Sequence, residues 1–227
     1  MRAMVLAAGR GERMRPLTDH CPKSLLKAGG KELLRIHLER LAAAGVEAVV
    51  VNHAYLGQQI VTFVEQLDLT VPVWLSAEQQ ALETGGGIFQ ALPRLGSEPF
   101  LVVNGDIWTD YPFATLLERH WDDGCRAHLV LVDNPVQHPD GDFHFCAKTG
   151  VVVNELEYPR LTFSGISVLH PDVFTGRQGG AFPLVPLLRD LIARGEVTAE
   201  HYQGQWFDIG TPQRLQALNE LIQGQSL

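Results

Sequence analysis

Met4-Val5-Leu6-Ala7-Ala8-Gly9-Arg10-Gly11-Glu12-Arg13-Met14-Arg15-Pro16-Leu17-Thr18 begins with five apolar residues and then turns glycine-rich and basic. An unbroken apolar run of that length reads as a short strand buried on both faces. Gly9-Arg10-Gly11 ends it in a flexible turn whose backbone amides can face a ligand. Downstream, Lys31 to Ala44 carries Leu33, Leu34, Ile36, Leu38, Leu41 and Ala42 at helical spacing and is stopped by Gly45. Val46 to Asn52 is then a second buried strand.

The alternation continues along the chain. The pattern predicts helices at 56–66, 84–95 and 113–121 and strands at 71–76, 100–104 and 127–132. Strands alternating with helices imply right-handed crossovers and a mostly parallel sheet. From Asp142 to Leu169 the helical period gives way to strand-like runs at 143–147, 151–154 and 164–169, read as a β-rich insertion over the sheet edge. A helix at 184–194, a strand at 198–202 and a last helix at 211–223 follow. The expectation is an α/β, Rossmann-like three-layer sandwich forming a single domain over residues 1–227.

Composition narrows the function. With 45% apolar and 19% charged residues, the chain suits one compact, soluble, core-forming domain. No segment reaches the length of a membrane span, and the first apolar run is too short for a signal peptide, so a cytoplasmic address is expected. Cys21, Cys125 and Cys146 are odd in number and widely spaced, which argues against a disulfide framework or a thiolate zinc site. A net charge of −8 argues against nucleic acid or an anionic membrane as partner. Yet residues 1–27 hold six basic side chains against two acidic ones, a balance of +4, while the remainder sums to −12. A basic, glycine-containing segment on an acidic protein suggests a local anion site.

The glycine loop is not a dinucleotide fingerprint, because position 14 is Met14 rather than glycine. Neither a P-loop, a G-x-S-x-G elbow nor an H-E-x-x-H pair occurs. The loop does bring amides together with Arg13, Arg15 and Lys23, the groups a polyphosphate needs, at the carboxyl edge of a parallel sheet. The strand ending at Asn104 runs into Gly105-Asp106 on that edge, and Trp206-Phe207-Asp208-Ile209-Gly210 sets a second carboxylate before a helix. Two aspartates from distant segments fit Mg2+, which takes one or two protein carboxylates with phosphate oxygens and water.

These residues resemble the sugar-1-phosphate nucleotidyltransferases. The resemblance rests on Leu6-Ala7-Ala8-Gly9-x-Gly11-x-Arg13-x-x-Pro16-Leu17-Thr18, Pro22-Lys23-x-Leu25-Leu26, Gly105-Asp106 and Asp208-Ile209-Gly210-Thr211-Pro212, which fall in the family's order over nearly the whole chain. It implies a GT-A-like nucleotidyltransferase fold, with a nucleotide-binding half at 1–135 and a sugar-binding, metal-completing half at 136–227, the β-rich insertion lying over the sugar site. It implies in-line attack of a sugar phosphate on the α-phosphorus of a nucleoside triphosphate, with release of pyrophosphate. Arg13, Lys23 and Asp106 would be catalytic. Ala8, Gly9, Gly11, Glu12, Arg13, Lys23, Glu78 and Gly85 would bind the nucleotide, Asn104, Asp142 and Gly165 the sugar, and Asp106 with Asp208 the magnesium. Partners would be small molecules only, and the chain a monomer.

Within the family, the stretches at 51–60, 82–88, 103–110 and 161–171 are similar to short members that use UTP and N-acetylmuramic acid 1-phosphate in cell-wall sugar recycling. Guanylyl transfer to mannose 1-phosphate and uridylyl or thymidylyl transfer to a glucose-type sugar stay open, as does a regulatory relative without activity. Where many relatives carry Glu-Lys-Pro this chain has Glu157-Tyr158-Pro159, leaving Arg160 or Lys148 as candidates for a second phosphate contact. His138, Asp140 and His144 read as a solvated turn, His53 as scaffold or sugar contact, and Cys21 as a bystander.

Overall fold

The computed structural model describes residues 1–121, 124–155 and 157–224. Its strands are β1 (Ala3–Leu6), β2 (Lys27–Ala28), β3 (Lys31–Glu32), β4 (Val49–His53), β5 (Val73–Ala77), β6 (Phe100–Asn104) and β7 (Ile107–Thr109). They continue with β8 (Ala127–Val132), β9 (Phe143–Cys146), β10 (Val151–Val153), β11 (Arg160–Leu169), β12 (Val197–His201) and β13 (Trp206–Asp208). The helices are α1 (Leu33–Ala44), α2 (Gly57–Glu65), α3 (Glu83–Leu95), α4 (Ala114–Leu117), α5 (Val185–Ala193) and α6 (Pro212–Gly224).

Nine strands form one sheet in the order β5-β4-β1-β6-β11-β8-β12-β10-β9. Alternation along each strand divides the core. Met4, Val50 and Val102 face α3 and α5, where Ile88, Leu95, Leu188 and Leu191 pack. Ala3, Val5, Val49, Val51, Leu101 and Val103 face α1 and α2, against Leu34, Leu38, Leu41 and Ile60. Burial on both faces is why these strands read as continuous apolar runs, and it produces the three layers. Helix α1 ends where the sequence indicates: Gly45 has φ 92° and its N–H donates to the carbonyls of Leu41 and Ala42, a left-handed cap that glycine adopts without strain.

Three expectations need correction. Strands β5, β4, β1 and β6 pair in parallel, as do β8 and β12, but β11 runs against both β6 and β8, so the sheet is mixed. Alternation records which face is buried and not which way a strand runs. For the same reason Ser164 to Leu169 is no edge insertion: it is the carboxyl half of β11, buried inside the sheet, and of the three runs only β9, with β10 beside it, lies at an end of the sheet. The helix expected over 113–121 is only the single turn α4, one face of which Leu116 buries. A short ribbon, β7 with β13, was not expected at all.

A third apolar cluster positions the site. Met14, Ala28, Leu33, Ile209, Leu215 and Leu218 are buried together, tying the glycine loop, the β2–β3 hairpin and α6 to one another. Within Arg13-Met14-Arg15 the middle residue is fully buried while both arginines are exposed. Met14 is thus the anchor that holds the loop down.

Candidate active site

A cleft of about 540 Å³ opens at the carboxyl ends of four parallel strands. Ala8, Gly9 and Arg10 line it after β1, Ala54 and Tyr55 after β4, Glu78 to Thr84 after β5, and Asn104 to Asp106 from the end of β6. Because β1 has β4 on one side and β6 on the other, the loops diverge there and leave a crevice, the usual ligand position in open α/β sheets. A second pocket of about 350 Å³ adjoins it, lined by Gly9, Gly11, Glu12, Arg13, Lys23, Asp106 and Gly210. Gly9, Lys23 and Asp106 belong to both cavities, so the two meet at those residues.

Lys23 Nζ donates to Asp106 Oδ2 at 2.6 Å, and its side chain is only 11% exposed. The glycine loop is folded to make room for it. Gly11 has φ 65°, and an added Cβ would lie 3.1 Å from both Lys23 Cβ and Thr18 Cγ2. Thr18 Oγ1 donates to the Gly11 carbonyl at 2.8 Å, and Met14 N–H reaches the same oxygen at 2.9 Å. Arg13 borders the smaller pocket with no carboxylate partner among the described residues.

The β7–β13 ribbon brings the two aspartates into register. Asp208 pairs with Ile107, and the Ile209 N–H donates to the Asp106 carbonyl at 2.9 Å. Behind the ribbon, the fully buried His37 binds the Ile107 carbonyl through Nε2 at 2.9 Å, and burial drives its pKa down to about 4. Arg40 donates to the carbonyls of Thr109 and Tyr111, and Arg214 on α6 pairs with Asp208. Asp106 lines both cavities and Asp208, which lines neither, stands beside it on the ribbon; two carboxylates brought together in this way are a donor set that fits a divalent cation sharing phosphate oxygens. Lys23 and Arg214 are the positive groups on them here.

Comparison with known proteins places the chain as a whole in a family. The nucleotidyl transferase family model matches residues 2–143. N-acetylmuramate alpha-1-phosphate uridylyltransferase of Neisseria meningitidis serogroup B is 44% identical, over 97% of this chain and 98% of that protein. The chain belongs to the nucleotidyl transferase family. The Caulobacter vibrioides protein of the same name is 37% identical, over 93% of this chain and 92% of its own. Mannose-1-phosphate guanylyltransferase 1 of Arabidopsis thaliana is 30% identical over 93% of this chain, which spans 62% of that protein. Among solved structures, UDP-glucose pyrophosphorylase complexed with UDP-glucose superposes with a TM-score of 0.81 at 18% identity, covering 99% and 98% of the two chains. That likeness concerns the fold alone.

Against this nucleotidyl transferase frame, the residues expected at the site divide into two groups. Ala8, Gly9, Glu78, Asn104, Lys23 and Asp106 line the cleft, and Gly11, Glu12 and Arg13 the smaller pocket. Gly85, Asp142, Gly165 and Asp208 line neither. Gly85 is buried in α3, where an added Cβ would lie 2.5 Å from Phe182 Cδ2, so its small size serves packing. The cleft wall beside it is made by Leu82, Glu83 and Thr84, with Glu83 at a left-handed φ of 56°. Asp142 is a clamp: Oδ2 accepts from Phe163 N–H at 2.8 Å, and Oδ1 lies 3.0 Å from His138 Nε2. Gly165 sits at a bulge in β11 with φ 82°, and an added Cβ would lie 2.6 Å from Asn104 Nδ2. Its role is to let Asn104 occupy the cleft wall.

Glu78 is also more tied down than its sequence position suggests. It is buried, Oε1 accepts from Asn52 Nδ2 at 2.7 Å, and Oε2 accepts from Leu82 N–H at 3.1 Å. Asn52 Oδ1 in turn accepts from Ala7 N–H at 2.7 Å, so one chain of hydrogen bonds locks the cleft loops after β5 and β1 together. Buried His53 accepts the Glu78 N–H at its carbonyl and has its pKa lowered by burial, a scaffold role. Arg160 donates to the Asp142 carbonyl at 3.2 Å, and neither it nor exposed Lys148 lines either cavity.

Proposed function

We propose that the protein transfers the uridylyl group of UTP to N-acetylmuramic acid α-1-phosphate, giving UDP-N-acetylmuramic acid and pyrophosphate. The reaction class rests above all on the Lys23–Asp106 contact at the junction of the two cavities. A cation and a carboxylate meet where a nucleotide in the cleft would direct its phosphates into the smaller pocket. The choice of substrates rests on the two relatives of that name, which this chain matches over nearly their whole length.

In this reading a phosphate oxygen of the sugar phosphate attacks the α-phosphorus of UTP. One P–O bond forms, the bond from Pα to the oxygen bridging to Pβ breaks, and that oxygen leaves with pyrophosphate. Lys23 stabilises the phosphates between the two substrates, and the Gly11 loop with Arg13 receives the departing pyrophosphate, a task of positioning and charge stabilisation. Magnesium held by Asp106 and Asp208 would supply neutralisation of phosphate oxygens as charge builds on the leaving group. Asn104 faces the sugar end of the cleft. We further propose a cytoplasmic monomer serving cell-wall sugar recycling. No helix among the described residues is long and apolar enough to cross a membrane.

The test is pyrophosphate release with UTP, dTTP, GTP, CTP and ATP, each crossed with the 1-phosphates of N-acetylmuramic acid, N-acetylglucosamine, glucose and mannose. Selective release with UTP and the muramic acid derivative is expected. GTP with mannose 1-phosphate as the preferred pair would overturn the substrate reading, and silence across all pairs would overturn the enzyme.

A further inference from the structure

Two cations line the larger cleft, Arg10 and Lys23. Lys23 is engaged by Asp106, whereas Arg10 has no carboxylate partner among the described residues. Its guanidinium lies over the ring of Tyr55, 5.3 Å from the centroid. That ring is itself held in place, because the Tyr55 hydroxyl donates to the Asp19 carbonyl at 3.1 Å. Gln59, on the first turn of α2, donates to the His20 carbonyl at 3.0 Å beside it. The arginine therefore rests over a fixed aromatic surface with no hydrogen-bond partner among the described residues, an arrangement that suits binding of a phosphate.

Position decides which substrate it serves. Tyr55 follows β4, on one side of β1, while Asn104 on β6 and Gly165 on β11 lie on the other side. Arg10 thus leans away from the sugar end. It also stands between Gly9, which lines both cavities, and Gly11, which lines the smaller one, where a triphosphate must pass from cleft to pocket. We infer that Arg10, seated on Tyr55, binds the phosphate tail of the incoming nucleoside triphosphate and supplies a further phosphate cation beside Lys23 and Arg13. This rests on the nucleotidyl transfer reading above and assigns a residue that the sequence reasoning passed over in favour of Arg160 and Lys148.

The experiment measures equilibrium binding of UTP and of uridine, together with KM for each substrate, in wild-type protein and in Arg10→Ala, Tyr55→Leu and Tyr55→Phe. Arg10→Ala is expected to weaken UTP binding about tenfold or more, the worth of a lost charge-assisted hydrogen bond. Uridine binding and KM for the sugar phosphate should not move. Tyr55→Leu should shift UTP binding in the same direction by a smaller factor, and Tyr55→Phe, which keeps the ring but loses its hydroxyl tether, should shift it by less than Tyr55→Leu does. Equal loss of UTP and uridine, a loss confined to the sugar phosphate, or unchanged UTP binding in Arg10→Ala would each overturn the assignment. A wild-type protein that ignores UTP but binds another triphosphate overturns the uridylyl reading alone. The Arg10 comparison then stands on that nucleotide.

Discussion

Asp106 and Asp208 are partly exposed carboxylates, each already touching a cation. Replacing either by Asn keeps the shape and removes the charge. In the proposed mechanism, turnover of Asp106→Asn and of Asp208→Asn should fall by orders of magnitude while the thermal midpoint stays close to wild type. Initial rates and a melting curve on the same preparations check both halves, and full activity in the two variants would remove the metal assignment. Gly165 makes a different prediction. Alanine there must adopt φ near 82° and meets Asn104 Nδ2 at 2.6 Å, so Gly165→Ala should lose about 1–2 kcal/mol of stability. KM for the sugar phosphate should rise with it, because Asn104 is displaced. Urea melts and sugar-phosphate titrations measure the two effects. Lys23, Arg13 and Asp106 were legible at this scale because each stands in a short motif. Gly85 and Asp142, which line neither cavity, were harder to place from a motif, because a glycine or an aspartate there can serve packing against Phe182 or a backbone clamp at Phe163 equally well.

At the scale of elements, the glycine loop is kept in shape by apolar burial beneath it. Met14 packs with Ile209, Leu215 and Leu218, which also fix the approach to Asp208. Met14→Ala should cost about 2–5 kcal/mol, the range for emptying a buried site of that size. KM for UTP should rise as well, since the loop carries Gly11 and Arg13. Denaturant midpoints with UTP kinetics decide it, and a variant with reduced stability but unaltered UTP kinetics would separate loop shape from that cluster. Most of the elements could be read from periodicity, since burial on both faces leaves continuous runs such as Val49-Val50-Val51. The β7–β13 ribbon could not be read. Its strands are three residues each, nearly a hundred residues apart, and too short to carry a period. Nor could the direction of β11, because an antiparallel strand inside a sheet buries the same side chains as a parallel one.

For the whole molecule, His37 makes folding sensitive to acid. Its pKa is lowered from 6.5 to about 4 by complete burial between α1 and the ribbon. The unfolded chain therefore binds a proton more readily between those values. His37 contributes stability that is fully present above about pH 6.5 and is lost as the pH falls toward 4, on the order of 3 kcal/mol in all. His53 and His128, both lowered by burial, act in the same direction. Urea unfolding from pH 7.5 to 4.5 should show the loss, and His37→Asn should flatten the slope by about one proton. An unchanged slope would mean that His37 is protonated in the folded state. The α/β class, the layers and the cleft at the strand ends all follow from the alternation of strands and helices. Which base and sugar enter that cleft does not, because base and hydroxyl contacts leave almost no spacing in a sequence.

The most direct measurement follows the atoms. N-acetylmuramic acid 1-phosphate labelled with oxygen-18 in its phosphate is incubated with UTP, magnesium and the protein, and the products are weighed by mass spectrometry. Uridylyl transfer by attack of the sugar phosphate predicts UDP-N-acetylmuramic acid carrying all of the label and pyrophosphate carrying none. Absence of that nucleotide sugar, or label in the pyrophosphate, would contradict it.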